Sequence, residues 1–561
     1  MQPVSISQVQ GTELNSPYAG QQVRVTGVVT CALRNGFFLQ DVTETWDQKR
    51  SLAIFVYSPE LRPKEGAYVE VLGEVMDYIA HESAKPVTQL ILEEFAPVKS
   101  QIDYASLSTQ LASAVLDFDI NVLSAQGQSL ADWLNSAEGM LIRIPAMSRF
   151  IAPSNKFGDY VLKIPGHDHG LIEHDDGGVV VGEGNELTWF PGFRVTDYDI
   201  AQQLDVGSTL AEDIVGALHY RVNAFQVAVS HGFKVDHQFA SSTVSRFTSS
   251  DEHVRIMTLN CFNLDPTIER ADRVVNPRTD IDDDYGDGRF HALAKAIVVY
   301  AREPEIVALQ EIQDSDGAEQ SDVTHAHDTY ALLLKAIAQI SSVQYNWIDL
   351  EPELNADGGQ PGGNIRNGFL YRTDAVKPNR ASLQKLGIDH PAFVDSRKPL
   401  ICEFESLASG RSWYLINLHL ASKRHQASVF APLEPGHDHK ESVRIAQAEV
   451  VGQAVKHLLD ANQSVYVTGD FNDGEHSNTL AVFNDYGLKN LVFKLQPRDR
   501  FDYNHRGKLQ VLMHGLVGGQ EYMLNSAEYE ILHGNELIGV EPGQDSDKAS
   551  DHAYVISQLE V

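Results

Sequence analysis

Cysteine is scarce in this chain: Cys31, Cys261 and Cys402 are the only three in 561 residues. Odd in number and far apart, they form neither a disulfide framework nor the paired spacing of a zinc site. Long apolar runs are missing as well. Although 43% of the residues are hydrophobic, no stretch approaches the roughly 20 needed to cross a bilayer, so no membrane span is expected. The first residues, Met1-Gln2-Pro3-Val4-Ser5, carry neither a basic patch nor an apolar signal core. An intracellular chain, or one whose leader has been removed, is the expectation from that segment. Basic residues are also in short supply: 44 Lys and Arg stand against 77 Asp and Glu, a formal net charge of −33. A field of that sign repels polyanions and weakens non-specific binding to nucleic acid. Such a protein needs local basic side chains or divalent cations to approach phosphate. Strong acidity also fits a secreted protein in a salty medium, where charges are screened.

What is present divides into blocks, as expected of a chain too long for one core. Over residues 1–100 the pattern is β: Gln22–Thr30, Gly36–Asp41, Leu52–Tyr57 and Ala67–Val75 are short apolar runs separated by turn residues, which predicts a small barrel or sandwich,. Residues 101–250 open with a helical segment over Leu107–Leu123. Runs at 140–145, 158–164, 179–181 and 221–229 then read as strands, consistent with a second barrel of the same kind,. His167, Asp168, His169, His174, Asp175 and Asp176 crowd one loop of this block and read as a solvated polar loop. Ser241 to Asp251 reads as a linker,. Over 251–561 strands alternate with amphipathic helices, the signature of a layered α/β domain. Phe290, Leu293, Ala294 and Ile297 have helical spacing, as do Tyr330, Leu333, Leu334 and Ile337, and Val451, Ala454, Val455 and Leu458,.

The segment Ser464–Asp473 organises this last block. A buried-strand pattern, Val465-Tyr466-Val467-Thr468, ends in Gly469, which frees the backbone to turn, and then in Asp470-Phe471-Asn472-Asp473,. Asp470 and Asn472 are two apart and would share one face of an extended chain. A carboxylate beside a neutral amide suits a site that handles a phosphate ester and a hard cation together. The same ending recurs elsewhere. Val254–Leu259 leads to Asn260, Glu305–Leu309 to Gln310-Glu311, and Leu415–Leu418 to His419; Asn364 to Arg372 and Ala549-Ser550-Asp551-His552 complete the set. In layered α/β folds that strand edge is where ligands bind.

These motifs, in this order over residues 252–561, resemble the endonuclease/exonuclease/phosphatase superfamily. Within it the likeness is to bacterial extracellular nucleases that carry an N-terminal oligonucleotide/oligosaccharide-binding (OB-like) barrel. The resemblance implies an α/β fold, a four-layered αββα sandwich, preceded by all-β OB-like domains. It implies Mg²⁺ or Mn²⁺ held by Glu311, Asn260 and Asp551. His419, Asp470, Asn472 and His552 would be catalytic: His419 on a phosphate oxygen or the leaving group, Asp470 on the attacking water, and His552 as base or phosphate contact. Arg366, Asn417 and Asn472 would bind phosphate, since a guanidinium matches phosphate bidentately. Nucleic acid, DNA foremost, is the expected partner, with no protein partner evident, and the compartment implied is extracellular or periplasmic.

One departure stands out. The family carries an Asp-His pair on the penultimate strand where this chain reads Gln510-Val511-Leu512-Met513-His514. Met513 thus occupies the position of the acid expected to orient His552, and a thioether carries no charge. The expectation is a slowed enzyme, with two alternatives: a phosphatase or phosphodiesterase on small or lipid substrates, and a catalytically crippled nucleic-acid-binding protein. The acidic, glycine-bearing run Asp280–Gly288 is reminiscent of a calcium loop, so Ca²⁺ is weighed as an additional structural ion against a plain solvated loop,. Gly436-His437-Asp438-His439 is read as a mobile solvated loop,.

Overall fold

The computed structural model describes residues 3–80, 84–98, 104–124, 128–168, 170–181, 188–221, 223–423, 426–430, 436–543 and 548–561. At the N-terminus, strands Gln22–Leu33, Gly36–Gln40, Ala53–Tyr57, Tyr68–Tyr78 and Val87–Pro97 close into a barrel. The first strand pairs with both the second and the fourth, and the fifth lies between the third and the fourth. Alternation explains the closure: Val23, Val25, Phe37, Leu39, Ile54, Val56, Val69 and Val71 all turn inward to one core,. Phe38 and Phe55, on the other face of the second and third strands, do not reach solvent. With Cys31 they pack against Ala217 and Ala228 of the next block, and the His219 ring stacks on Phe55 at 5.8 Å.

That middle block departs from the expectation. Helices Tyr104–Ser113 and Ile120–Leu123 stand where one helical segment was expected, and a further helix, Gln128–Ser136, follows them. Its strands, among them Leu141–Ile144, Asp159–Lys163, Gly192–Val195, Ile214–Arg221 and Ala224–Val229, join one nine-stranded sheet rather than a second closed barrel. Phe150, Tyr160, Phe193, Phe225 and Phe233 fill its core. The histidine-rich loop is not simply solvated: His167 is buried, Asp168 pairs with Lys163, and the His174 ring packs on Phe501 at 4.9 Å. His169 lies outside the described residues. Nor does the polar run after this block hang free. The Thr243 N–H donates to the His533 carbonyl at 2.9 Å, buried Ser245 bonds to Glu530, and Phe247 enters the core of the C-terminal domain.

Two six-stranded sheets build that domain. In the first, Tyr345–Asp349, Arg366–Arg372, Ile306–Ile312, His253–Leu264, Tyr554–Glu560 and Glu528–Leu532 lie side by side. The second runs Val376–Lys385, Leu400–Ser406, Ser412–His419, Val465–Asp470, Met513–Gly518 and Lys489–Asn490. Ile256, Ala308 and Phe369 of the first share a core with Phe404, Trp413, Leu415 and Tyr466 of the second. The helical spacing read from the sequence does its work on the outer faces. Phe290, Leu293, Tyr330, Leu333 and Ile337 pack on Met257, Leu259, Val307 and Leu309; Val451, Val455, Leu480 and Phe483 pack on Ile416, Leu418, Val465 and Val467,. The central pair of each sheet includes a parallel ladder, His253–Leu264 with Ile306–Ile312 and Ser412–His419 with Val465–Asp470. Parallel neighbours end at the same edge, so their C-terminal residues emerge together.

Candidate active site

Strand register brings the first residues of the site together. Asn260 pairs with Gln310, beside Glu311, and His419 pairs with Asp470. The first ladder then breaks, skipping from Asn260/Gln310 to Leu264/Ile312. Phe262, Asn263 and Glu311 take left-handed backbone there, with φ of 54°, 58° and 56°. Such bulges re-aim side chains at the ends of strands. The Asn260 Nδ2 donates to Glu311 Oε1 at 3.1 Å and lies 3.3 Å from Asp470 Oδ2. One amide thus ties the two sheets together at this edge.

Gly469 has a different reason from the one expected. It sits inside strand Val465–Asp470, with φ of 137°, and a Cβ there would come within 1.9 Å of the Leu418 carbonyl oxygen. Close approach of the neighbouring strand requires the glycine. The turn comes later, at Asn472, with φ of 53°, whose N–H donates to Asp470 Oδ1 at 2.8 Å. Asp470 and Asn472 therefore do not share an extended face; they form a side-chain-to-backbone turn, and the Asn472 amide nitrogen donates to the Leu420 carbonyl at 3.2 Å,.

Two imidazoles flank Asp470. His419 Nε2 is 3.7 Å from Asp470 Oδ2 and 3.8 Å from Glu311 Oε1. Burial, followed by the charges of Arg397 and His552, holds the His419 ring well below its ordinary value, so it is neutral,. His552 Nε2 is 3.8 Å from Asp470 Oδ2 and 3.9 Å from Asp551 Oδ1. Burial opposes its charged form, yet Asp551, Asp502 and Asp470 together lift it to about 10. Burial and the neighbouring Asp551 raise Glu311 to about 6, and burial raises Asp470.

Met513 does not leave His552 without an acid. Asp502, fully buried, places Oδ2 2.7 Å from His552 Nδ1. Its Oδ1 accepts the N–H groups of Leu512 and Met513 at 2.6 and 3.0 Å. The carboxylate therefore reaches His552 from the stretch Phe501-Asp502-Tyr503, bonded to the very backbone of the position it replaces. Met513 lies opposite Asp470 in the ladder and is buried between the sheets. The expected loss of the imidazole's partner is corrected.

One phosphate-binding expectation is also corrected. Asn417 is fully buried one layer deeper than His419. Its Nδ2 donates to the carbonyls of Leu309 and Gly368 at 2.8 and 3.0 Å, and its Oδ1 accepts from Gln310 at 2.6 Å. No donor remains for a phosphate. Arg366 is buried: Nη1 lies 3.5 Å from Asp349, Nη2 donates to the Asn364 carbonyl at 3.0 Å, and Nε has no hydrogen-bond partner among the described residues. The arginine whose charge acts on Glu311 and Asp470 is Arg397. It is buried; its Nη2 donates to the Leu420 carbonyl at 3.1 Å, and its Nε has no partner among the described residues. Arg397 precedes strand Leu400–Ser406 in a loop, so the strand-end signal missed it. Tyr503 was missed too: its ring lies 4.8 Å from that of His552. Burial, Asp551, Asp470 and Glu311 raise its hydroxyl.

Around Glu311 stand the carboxylates of Asp551 and Asp470 and the side-chain amide of Asn260, whose Nδ2 faces Glu311 and Asp470 while its Oδ1 accepts the Phe262 N–H at 2.8 Å. Glu311 and Asp470 are buried and Asp551 is part-exposed; carboxylates are the ligand type that a hard divalent cation takes. A second carboxylate group stands apart from it. The Asp280–Gly288 loop sends Asp282 to Asp265 and Glu269, with oxygens within 4.8 Å of one another. The loop at 436–439 is anchored by Asp438, which pairs with buried Arg444.

Residues 257–527 match the profile of the Endonuclease/Exonuclease/phosphatase family, and residues 105–237 match a family described as Domain of unknown function (DUF8508). No curated protein matches the chain. Similar solved structures include an endonuclease/exonuclease/phosphatase from Bacteroides vulgatus, with 16% identity over 55% of this chain and 99% of that one (TM-score 0.35). D. rerio TDP2 complexed with single strand DNA product has 16% identity over 55% and 100% (TM-score 0.36). The human Nocturnin catalytic domain has 15% identity over 55% and 94% (TM-score 0.35).

Proposed function

With a C-terminal domain that belongs to the endonuclease/exonuclease/phosphatase superfamily, we propose that this protein is a divalent-metal-dependent phosphodiesterase, and specifically a nuclease that hydrolyses DNA by in-line attack of water. The observation that carries the reading is the convergence of His419 and His552 on Asp470, each ring nitrogen under 4 Å from Oδ2, beside the Asn260–Glu311 pair. We read the two sheets and their outer helices as the αββα sandwich, and the N-terminal barrel as OB-like.

Glu311, Asn260 and Asp551 would hold Mg²⁺ or Mn²⁺, which when bound would offset charge on the scissile phosphate. The protein's own groups do the rest. Asp470, raised by burial, orients water and accepts its proton. Neutral His419 donates an N–H to a phosphate oxygen, and Asn472 offers a further amide contact. His552, protonated between its carboxylates, adds positive charge on the opposite side of the phosphorus. Asp502 holds the ring. Arg397 compensates buried negative charge at Glu311 and Asp470.

The crippled-protein reading rested on a missing partner for His552, and Asp502 removes that ground. A phosphodiesterase for small or lipid esters keeps the same site and is separated by experiment. Plasmid DNA, RNA and a chromogenic phosphodiester are incubated with Mg²⁺, Mn²⁺, Ca²⁺ or chelator. DNA cleavage that stops on chelation is expected. Cleavage of the small ester with plasmid left intact overturns the nuclease assignment, and no metal-dependent cleavage of any substrate overturns the enzyme. We assign Ca²⁺ as a structural ion to Asp265, Glu269 and Asp282; a calcium-induced rise in thermal midpoint that Asp282→Asn abolishes is the expected result.

A further inference from the structure

Asp502 does not belong to either six-stranded sheet. It opens a hairpin, Tyr503–His505 and Lys508–Gln510; Tyr503 bridges His552 and the Asp502 carbonyl accepts the Ala553 N–H at 2.6 Å, while the strand Lys508–Gln510 takes its other partner from the middle domain. Lys508–Gln510 runs parallel to Val179–Val180, with Val179 opposite Lys508 and Val180 opposite Leu509, and Ile172–Glu173 forms the far edge. The Val181 N–H extends the ladder to the Leu509 carbonyl at 2.9 Å. Side chains reinforce the joint. Phe501 and Leu509 share a core with Val180 and Val206; the Asn504 Nδ2 donates to the Ile151 carbonyl at 2.9 Å. Gly178 is packed so closely that a Cβ would lie 2.4 Å from Leu509 Cδ1. The same domain also grips the loop behind His552. Val206 donates its N–H to the Leu537 carbonyl at 2.9 Å, and Asp205 accepts the Gly539 N–H at 2.7 Å. Within that loop, Asn535 donates to the His552 carbonyl at 2.9 Å.

We infer that the middle domain, residues 104–237, is a positioning domain for the active site: by completing the sheet that carries Asp502, it fixes the Asp502–His552 hydrogen bond and so sets the rate of the reaction. The role assigned to His552 rests on the proposed hydrolase function; the mechanical link does not. The physical reason lies in where the acid sits. An acid on the penultimate strand would be fixed by that sheet alone. An acid on a two-stranded hairpin is held by its own domain only at its base, through the Leu512, Met513 and Ala553 N–H groups; the rest of the hairpin needs further strands or a packed face to hold its shape. Val179–Val180 and the shared core supply both. Displacement of a catalytic group by about 1 Å costs on the order of a hundredfold in rate, so a loosened joint is felt at His552 without any contact to substrate.

The test uses full-length protein and two mild joint variants, Leu509→Ala and Asn504→Ala, with Leu134→Ala as control. Leu134 is fully buried in the middle-domain core and takes no part in the joint. Two readouts are taken. Proton NMR follows the hydrogen-bonded Nδ1 proton of His552, assigned by its loss in Asp502→Asn, and steady-state kinetics give kcat, KM and their pH profiles. The joint variants are expected to broaden or lose that proton, to lower kcat about tenfold to a hundredfold with KM nearly unchanged, and to move the pH limb that belongs to His552. The control keeps the proton and the profile. An unchanged His552 proton in both joint variants overturns the inference, as does a control that changes as much as they do. If no substrate is hydrolysed but the proton responds to the joint, the hydrolase reading falls and the positioning role stands.

Discussion

At the level of single residues, the proposed chemistry turns on the carboxylate that partners His552. His552 needs a partner on Nδ1 to fix its tautomer and stabilise its charge. Asp502 provides it at 2.7 Å, while two backbone N–H groups hold the other oxygen. Asp502→Asn is therefore expected to cut kcat by about 10²–10⁴ with little change in KM, in line with His-carboxylate pairs elsewhere. It also lowers the pKa of His552, because a charge and a charge-assisted hydrogen bond are lost together. Met513→Asp alone is expected to bring no gain. It adds a carboxylate beside Asp470 in the ladder, in a buried site that already holds three others,. In the Asp502→Asn background the same change is expected to restore part of the rate; failure of that rescue, measured as kcat, would show that the two strands cannot stand in for each other. Strand-end residues such as Asn260, Glu311, His419 and Asp470 were legible because a type repeated at an edge. Asp502 was not, since Arg500-Phe501-Asp502-Tyr503 has no periodicity and its acid acts across a fold contact. Asn417 misled for a related reason. It lies two residues below His419, about 7 Å down the strand, where an amide satisfies buried carbonyls instead of a ligand.

For the elements, alternation predicted the barrel and the helical periods correctly, but not what their outer faces touch. OB-type barrels read oligonucleotides on the face of their second and third strands. Here that face presents Phe38 and Phe55, and it is closed by Ala217, Ala228 and His219. In this chain the barrel's aromatic face is a structural seam against the middle block. Phe38→Ala is expected to destabilise the full-length protein by about 3–5 kcal/mol, the cost of emptying a buried aromatic site, as read from denaturant titration. Its affinity for single-stranded DNA, measured across a salt series, should not change. A clear loss of affinity in a variant that remains folded would return the barrel to a binding role. The middle block failed to read as a single sheet because many of its strands are only two residues long, too short for alternation to appear, as in Thr209–Leu210 and Arg149–Phe150.

Across the whole molecule, a charge of −33 combines with acids that burial has driven towards their neutral forms. Burial raises Asp265 to about 9 and Asp284 and Asp314 to about 7, while neighbouring carboxylates lift His552 to about 10. All four have folded pKa values above their unfolded ones. Each therefore contributes stability that is fully present below its unfolded value and is lost as pH rises through the folded one. His219 and His505, lowered to about 4 chiefly by burial, act in the opposite sense, but their contribution is complete above the ordinary histidine value of about 6.5. From pH 6.5 to 9 the terms thus share one sign, and the thermal midpoint of chelated protein is expected to fall steadily across that window. If the proposed cation site is right, divalent cation is expected to oppose the trend, because it would bind the ionised carboxylates. At a free concentration a hundred times Kd, one site adds about 2.7 kcal/mol, and the rise in midpoint should be larger at pH 8.5 than at pH 6.5. Scanning calorimetry in chelator, Mg²⁺ and Ca²⁺ at those two pH values decides the matter. A midpoint that climbs with pH in chelator, or a cation effect that shrinks as pH rises, would mean that the buried acids are already compensated and that the cation's role is confined to the substrate.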